Sequence, residues 1–379
     1  MLTHPEPPSA PGAHTQRINL GLQGGGSHGA FTWGVLDVLL QDPRIEIEGV
    51  SGTSAGAMNA VAMAHGLALA KGRSRVAAHE AARESLANFW NGVVAMGALG
   101  HAQRAPFDLM FGLTGLDSSP TGQWADAMAR AWSGSMSPYQ SNPLDINPLK
   151  DFVERQIDFE RLAAFQELKV FVVATKVSTG KAEVFSGERL TSSAVMASAC
   201  LPMMFQAVEI DGEYYWDGGY VGNPAIHPLI YQCDSRDILL VQINPIRRDK
   251  LPTSAVDIMD RLNEITFNAA LMAEMRAIDF VKRLLKEGKL SPEHYKDVLL
   301  HRIDGGAVLE QLGATTKLST ESALINALHD LGQSHAHQWL AQHAGDLGVR
   351  SSVNIAQDYL DDLRVPVHQE RRGQVNGGS

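Results

Sequence analysis

The pentapeptide Gly52-Thr53-Ser54-Ala55-Gly56 has the pattern of a serine nucleophile held on a tight turn. Such a turn between a strand and a helix exposes the serine hydroxyl, and the residues two before and two after it must be small so that strand and helix can approach each other. The helix that follows directs the positive end of its dipole at negative charge that develops there. By itself the pentapeptide also fits an ordinary turn. A strand before it and a helix after it favour Ser54 as a nucleophile with Gly52 and Gly56 as its elbow glycines.

A second glycine-rich segment, Gly24-Gly25-Gly26-Ser27-His28-Gly29, precedes a predicted helix. Consecutive glycines let backbone N–H groups point into one concavity, and beside a serine nucleophile that concavity is an oxyanion hole. The same residues satisfy the G-x-G-x-x-G pattern of dinucleotide binding, which needs an acidic residue about twenty positions on, for which Glu46 or Glu48 could be offered. Both lie inside the next predicted strand rather than at its end. Gly24, Gly25 and Gly26 are therefore interpreted as the oxyanion loop, and dinucleotide binding is the distant alternative.

Asp217, in Trp216-Asp217-Gly218-Gly219, follows a predicted hairpin. An aspartate before two glycines is usually only a turn. If Ser54 is a nucleophile, however, it needs a base, and Asp217 is the economical candidate because no histidine stands in a compact motif of its own. Burial would have to raise the pKa of this carboxylate or pre-align its hydrogen bond. His227 is the alternative base of a Ser–His–Asp triad, although a helix residue at or near the surface is the simpler interpretation.

Alternating strands and helices are predicted around these motifs, which indicates a mainly parallel sheet covered by helices. Between residues 97 and 148 the pattern breaks down, and the apolar stretch 105–116 is either a lid or lipid-entry surface or a segment packed beneath the C-terminal helices. The predicted strands are 18–22, 45–52, 168–177, AEVFS (182–186), a hairpin within 208–219, 237–245 and 294–304; the predicted helices are 29–40, 55–69, 75–91, 192–199, 254–287 and 321–344.

Composition excludes several classes of protein. The net charge of −10 argues against a general nucleic-acid binder, and two cysteines without metal-ligand spacing favour a reducing cytoplasm and no metal or other cofactor. No run of eighteen apolar residues predicts a membrane span, so any membrane contact should be peripheral. The proline-rich start has no apolar core of a secretory signal. We expect a disordered arm at 1–16, a catalytic domain at 17–250, a mainly helical extension packed on it at 251–370, and a disordered tail at 371–379.

The glycine loop, the serine elbow and the distant Asp-Gly-Gly, in that order, resemble the patatin-like phospholipase family. The resemblance covers roughly residues 17–245 and includes Ala197-Ser198 with Pro202 and Phe205. It implies a three-layer α/β/α fold, a Ser54–Asp217 dyad without histidine, and metal-independent hydrolysis of acyl esters, usually in phospholipids or lysophospholipids. The chain departs from the family at two positions: Gln23 replaces an acidic residue of plant members, and His28 replaces a frequent Lys or Arg. His28 is thus a candidate auxiliary residue.

Overall fold

The computed structural model describes residues 15–110, 137–312, 316–317 and 319–360 of the 379 in the chain. The helices are α1 (Gly29–Leu39), α2 (Ala55–Leu69), α3 (Arg75–Met110), α4 (Pro138–Ser141), α5 (Pro148–Gln156), α6 (Phe159–Ala163), α7 (Ser192–Ser198), α8 (His227–Gln232), α9 (Ala255–Lys286), α10 (Gly306–Gln311), α11 (Ser322–His343) and α12 (Ile355–Asp358). The strands are β1 (Gln16–Leu22), β2 (Ile45–Gly52), β3 (Lys169–Lys176), β4 (Lys181–Phe185), β5 (Val208–Ile210), β6 (Glu213–Asp217), β7 (Asp237–Gln242) and β8 (Leu299–Asp304).

One sheet gathers these eight strands in the order β5-β6-β3-β2-β1-β7-β8, with β4 also paired to β3. Neighbouring strands from β3 through β2, β1 and β7 to β8 run parallel, while β4, β5 and β6 pair in antiparallel fashion. The carboxyl ends of β1 and β2 are in register, since Leu22 pairs with Gly52. The glycine loop and the serine elbow, which follow these two residues, must therefore leave the sheet side by side.

Alternating side chains divide the interior into two cores, one on each face of the sheet. On β7, Leu239 and Val241 belong to the larger core with α1 and α2, whereas Ile238 and Leu240 belong to the smaller core with α8 and α9. Strand side chains alternate between faces, so each apolar run of a central strand is buried on both sides. The sheet between two helical layers confirms the three-layer α/β/α arrangement that the family resemblance implies.

Several boundaries differ from the sequence prediction: β8 begins at Leu299 rather than residue 294, β7 ends at Gln242 rather than residue 245, and the start of β1 and the end of α3 also differ. β1 begins at Gln16 rather than Ile18, because the Gln16 N–H already donates to the Arg44 carbonyl at 2.7 Å. α3 continues to Met110 instead of ending near residue 91. Gly92 and Gly97, which make the sequence look irregular, instead let Phe152 and Thr320 pack closely on the helix, where a methyl group would collide with them.

The predicted division at residue 250 does not interrupt the sheet. β8 lies beyond it and pairs with β7 over its whole length, from Asp237–Leu299 to Gln242–Asp304. Residues 111–116 of the stretch predicted as a lid or packing segment, nearly all of the predicted disordered arm, and the predicted tail lie outside the described residues, while 105–110 belong to α3. None of the helices in the described ranges is long and apolar enough to cross a bilayer.

Candidate active site

Ser54 lies at the turn between β2 and α2 in a strained backbone conformation. Its φ of 53° places a non-glycine residue in the left-handed region, a rare conformation that recurs at functional turns. The turn is possible because the backbones on either side approach closely: a methyl group on Gly52 would lie 2.5 Å from the Gly56 carbonyl oxygen. The Ser54 N–H donates to Ser198 Oγ at 2.9 Å. The side chain stays partly exposed at the first turn of a buried helix.

Asp217 is the last residue of β6 and is fully buried. Its Oδ1 accepts the Gly219 N–H at 2.7 Å, and its Oδ2 has no hydrogen-bond partner of ordinary geometry in the described part of the chain. Burial raises the pKa of Asp217 to about 7, against the opposing effects of the Gly219 N–H and the Ser54 hydroxyl. The serine hydroxyl thus acts on the carboxylate, although the contact is looser than a full hydrogen bond, as catalytic contacts often are before substrate binds.

The glycine loop reaches the serine elbow through Gly24. A methyl group on Gly24 would lie 2.7 Å from Ser54 Cβ, so only glycine permits this approach. The Gly24 N–H is not available to a substrate, because it donates to Asn223 Oδ1 at 2.6 Å. The N–H groups of Gly25 and Gly26 have no partner among the described residues. Of the three glycines predicted to form the oxyanion hole, the second and third thus offer free donors, while the first shapes the loop.

Buried amide side chains hold this loop in place. Gln23 Oε1 accepts the N–H groups of Ile243 and Asn244 at 2.9 and 2.8 Å, and its Nε2 donates to the Asn223 carbonyl at 3.1 Å. Asn244 Nδ2 donates to the Gly24 carbonyl at 2.6 Å. Every buried polar group of the loop that is paired in this way avoids a desolvation cost. Sequence reasoning identified Gln23 only as a departure from a pattern and gave Asn244 no role.

The surroundings of His28 favour its neutral imidazole form. Burial lowers its pKa to about 3, and the positive charges of Lys317 and Arg248 act in the same direction. Nε2 lies 2.8 Å from Thr316 Oγ1, and Nδ1 is buried without a partner in the described chain. A neutral ring cannot supply the permanent charge that Lys or Arg gives in relatives.

His227 makes its contacts elsewhere. Its Nδ1 lies 3.2 Å from Glu274 Oε1, its side chain is 43% exposed, and it begins helix α8. Cys200 is buried, and burial raises the pKa of its thiol to about 12, so it is a poor nucleophile. Of the three side chains compared, Asp217 is the one whose pKa responds to the Ser54 hydroxyl.

The dinucleotide alternative does not fit the acidic residues offered for it. Glu48 accepts the N–H groups of Asp234 and Ser235 at 2.6 and 2.8 Å, next to the amino end of β7. Glu46 pairs with Arg17 at 3.2 Å near the start of β1. Both carboxylates are thus engaged at the opposite edge of the sheet from the glycine loop. Among the residues that the structure describes, no group of three His, Cys, Asp or Glu side chains could hold a metal ion.

The sequence comparisons agree with the three-layer fold and with the serine elbow described above. The family model for patatin-like phospholipase matches residues 20–230, more than half of the chain, and the chain belongs to this family. Lipid acyl hydrolysis is the activity that the family supports. Among solved structures, VipD from Legionella pneumophila matches with 16% identity over 86% of this chain and 67% of its own, at a TM-score of 0.38, a likeness too weak to add to the assignment. No curated protein sequence matches the chain significantly.

Proposed function

We propose that this protein is a serine acyl hydrolase that cleaves carboxylic esters of phospholipids or lysophospholipids through a Ser54–Asp217 dyad. The observation that carries the proposal is the pairing of a strained, partly exposed serine with a buried carboxylate whose pKa the serine hydroxyl influences and whose second oxygen has no partner among the described residues. A carboxylate with a pKa near 7 is a much better base than one in water, and about half of the molecules carry it ionised at pH 7.

The chemistry divides into two balanced half-reactions. Asp217 takes the Ser54 proton while Oγ bonds to the ester carbonyl carbon, and the Gly25 and Gly26 N–H groups hold the oxyanion. When the carbon–oxygen ester bond breaks, the leaving alcohol receives the proton from Asp217. Water then gives a proton to Asp217 as it attacks the acyl-enzyme, and that proton returns to Ser54 Oγ as the fatty acid leaves.

The same dyad would also act on simple esters, thioesters or a storage polyester, and none of its contacts identifies the alcohol. Both cysteines are free and buried, which fits a reducing compartment. The setting we propose is the cytoplasm, with peripheral contact at the membrane where lipid is taken up.

A fluorophosphonate probe tests the dyad directly, because it phosphonylates an activated serine. We expect wild type to be labelled at Ser54, Ser54→Ala not at all, and Asp217→Asn at a rate lower by a factor of about 10²–10⁴, the usual cost of losing a general base. His227→Ala is the matched control and should be labelled like wild type. Normal labelling of Asp217→Asn together with loss of labelling in His227→Ala would replace the dyad with a triad.

A further inference from the structure

A short segment from beyond the family-matched region lies against the glycine loop. The Lys317 carbonyl oxygen contacts Gly26 so closely that a methyl group on that glycine would collide with it. Gly26 has a φ of 58°, which suits glycine, and Thr316 Oγ1 bonds to His28, two residues further along the loop. Residues 316–317 therefore cover the loop on which the oxyanion donors lie.

Lys317 is also joined to the loop through a side-chain relay. Its Nζ donates to Asn244 Oδ1 at 2.8 Å, and Asn244 Nδ2 donates to the Gly24 carbonyl at 2.6 Å. An ammonium group can only donate hydrogen bonds, so Asn244 must turn its oxygen to Lys317 and its NH₂ to Gly24. The Lys317 residue keeps some exposure, while its ammonium end is enclosed enough that burial lowers its pKa.

Fixing the Gly24 carbonyl also fixes the next N–H group. In a planar trans peptide the C=O and N–H bonds point in opposite directions. Because Asn244 holds the Gly24 oxygen on one side, the Gly25 N–H is held pointing to the other side, where it has no partner among the described residues. If the Asn244 amide turned over, its oxygen would face the Gly24 oxygen, and the repulsion of two acceptors would displace this peptide.

We propose that Lys317 is a positioning residue of the oxyanion site, which acts through Asn244 to orient the Gly24–Gly25 peptide for the acyl transition state. The inference rests on the proposed function, since the donor that it orients is the one assigned to the oxyanion. It makes the segment at 316–317 a part of the hydrolytic site rather than a remote extension.

Lys317→Met is the direct test, because methionine keeps the length and removes the donor and the charge. Deleting an oxyanion donor outright usually costs about 10²–10³ in kcat, so misplacing one should cost roughly tenfold to a hundredfold. We expect kcat on a p-nitrophenyl ester and the fluorophosphonate labelling rate to fall together by that factor, with KM within about twofold because ground-state binding is not the target. Lys317→Arg, which still donates to Asn244, should restore most of the rate.

Lys296→Met is the matched control. Lys296 is another partly buried lysine beyond residue 250, but it bonds to the Cys233 carbonyl near the amino ends of the strands. We expect it to keep the wild-type rate. In hydrogen exchange, the hydrogen-bonded amides of Gly24 and His28 should exchange faster in Lys317→Met and remain unchanged in Lys296→Met, because only the first variant releases the loop.

Asn244→Asp is a second test of the same inference, for use if Lys317→Met does not fold. It keeps an oxygen for Lys317 but puts an acceptor against the Gly24 carbonyl, so it should lose activity by a similar factor. If wild type is labelled and either folded variant reacts like wild type, the inference is overturned. If wild type is not labelled at Ser54, the proposed function fails instead, while unchanged exchange of the Gly24 and His28 amides in Lys317→Met would overturn the relay by itself.

Discussion

Asp217→Asn should make the protein more stable at pH 8 while it removes activity. The pKa of Asp217 rises from 3.8 to about 7 on burial. A folded-state pKa above the unfolded value means that the native protein binds a proton more tightly than the unfolded chain does, so ionising Asp217 in the fold opposes folding. At roughly 1.4 kcal/mol per pH unit, a shift of about three units corresponds to a cost of about 4 kcal/mol once the pH exceeds 7.

Asparagine removes this cost without changing the shape of the site. Its Oδ1 keeps the acceptor position for the Gly219 N–H, which wild type bonds at 2.7 Å. The new NH₂ group takes the place of Oδ2, which has no partner among the described residues, and any N–H left unpaired there costs about 1–3 kcal/mol. The net gain in the free energy of unfolding at pH 8 should therefore be about 1–3 kcal/mol.

The pH dependence distinguishes this reasoning from a general packing effect. Between pH 7 and about 4 the wild-type cost disappears at about 1.4 kcal/mol per unit, since Asp217 is protonated in the fold while it is ionised in the unfolded chain. In urea unfolding at pH 5, 6, 7 and 8, the advantage of Asp217→Asn should grow with pH up to 7 and then level off. The acid limb of kcat/KM for wild type should have its midpoint near pH 7, because the base must be ionised.

Asp346→Asn is a control of opposite sign. The His343 Nδ1–H bond lowers the pKa of Asp346, and Arg350 adds to this effect at 2.6 Å. A lowered folded-state pKa gives stability that is present above the ordinary carboxyl pKa and lost in acid, so this variant should be less stable at pH 5–8. If Asp217→Asn were destabilised equally at every pH, the site would not hold a buried carboxylate of raised pKa, and its role as a base would lose its physical support.

Two further outcomes follow from the site. Ser198→Ala should lower kcat by roughly tenfold and stability by about 1–3 kcal/mol, because the Ser54 N–H loses its partner at 2.9 Å; unchanged thermal unfolding and rate would show that this bond does not hold the elbow. Turnover should survive excess EDTA and need no calcium, since the proposed chemistry uses only side chains and backbone donors; strict calcium dependence of turnover, rather than of lipid adsorption, would contradict the mechanism.

The parts of the fold that are predicted best are those that depend on residues close together in the sequence. The strand before Ser54 follows from its alternation and has the bounds that this alternation indicates, and the helix after it follows from a run of small apolar residues. The family order of motifs predicts which aspartate should approach the serine. The end of α3 could not be predicted, because Gly92 and Gly97 weaken a helix by propensity but stabilise this one through close packing that only the fold reveals.

The contacts that orient the oxyanion loop join residues that are far apart in the sequence, so local patterns do not predict them. Asn223 bonds to Gly24 across a separation of 199 residues, and Lys317 bonds to Asn244 across 73. No short motif encodes them, since an asparagine or a lysine has many ordinary roles. A free Gly24 N–H is what a run of three glycines suggests, and the structure corrects it because Asn223 already occupies that donor.

The site combines two features that destabilise a fold, a strained Ser54 and a buried carboxylate. Contacts from neighbouring residues must hold both of them in place. Many of those neighbours lie beyond the residues matched by the family model. Phe267 packs on Gly219 beside Asp217, Asn268 bonds to Gln23 at 3.3 Å, and Lys317 bonds to Asn244. β8, which also lies after residue 250 in the sequence, pairs with β7 and completes the sheet. The predicted boundary at residue 250 therefore does not divide the candidate site, because the residues that hold the strained Ser54 and the buried Asp217 in place come from both sides of it.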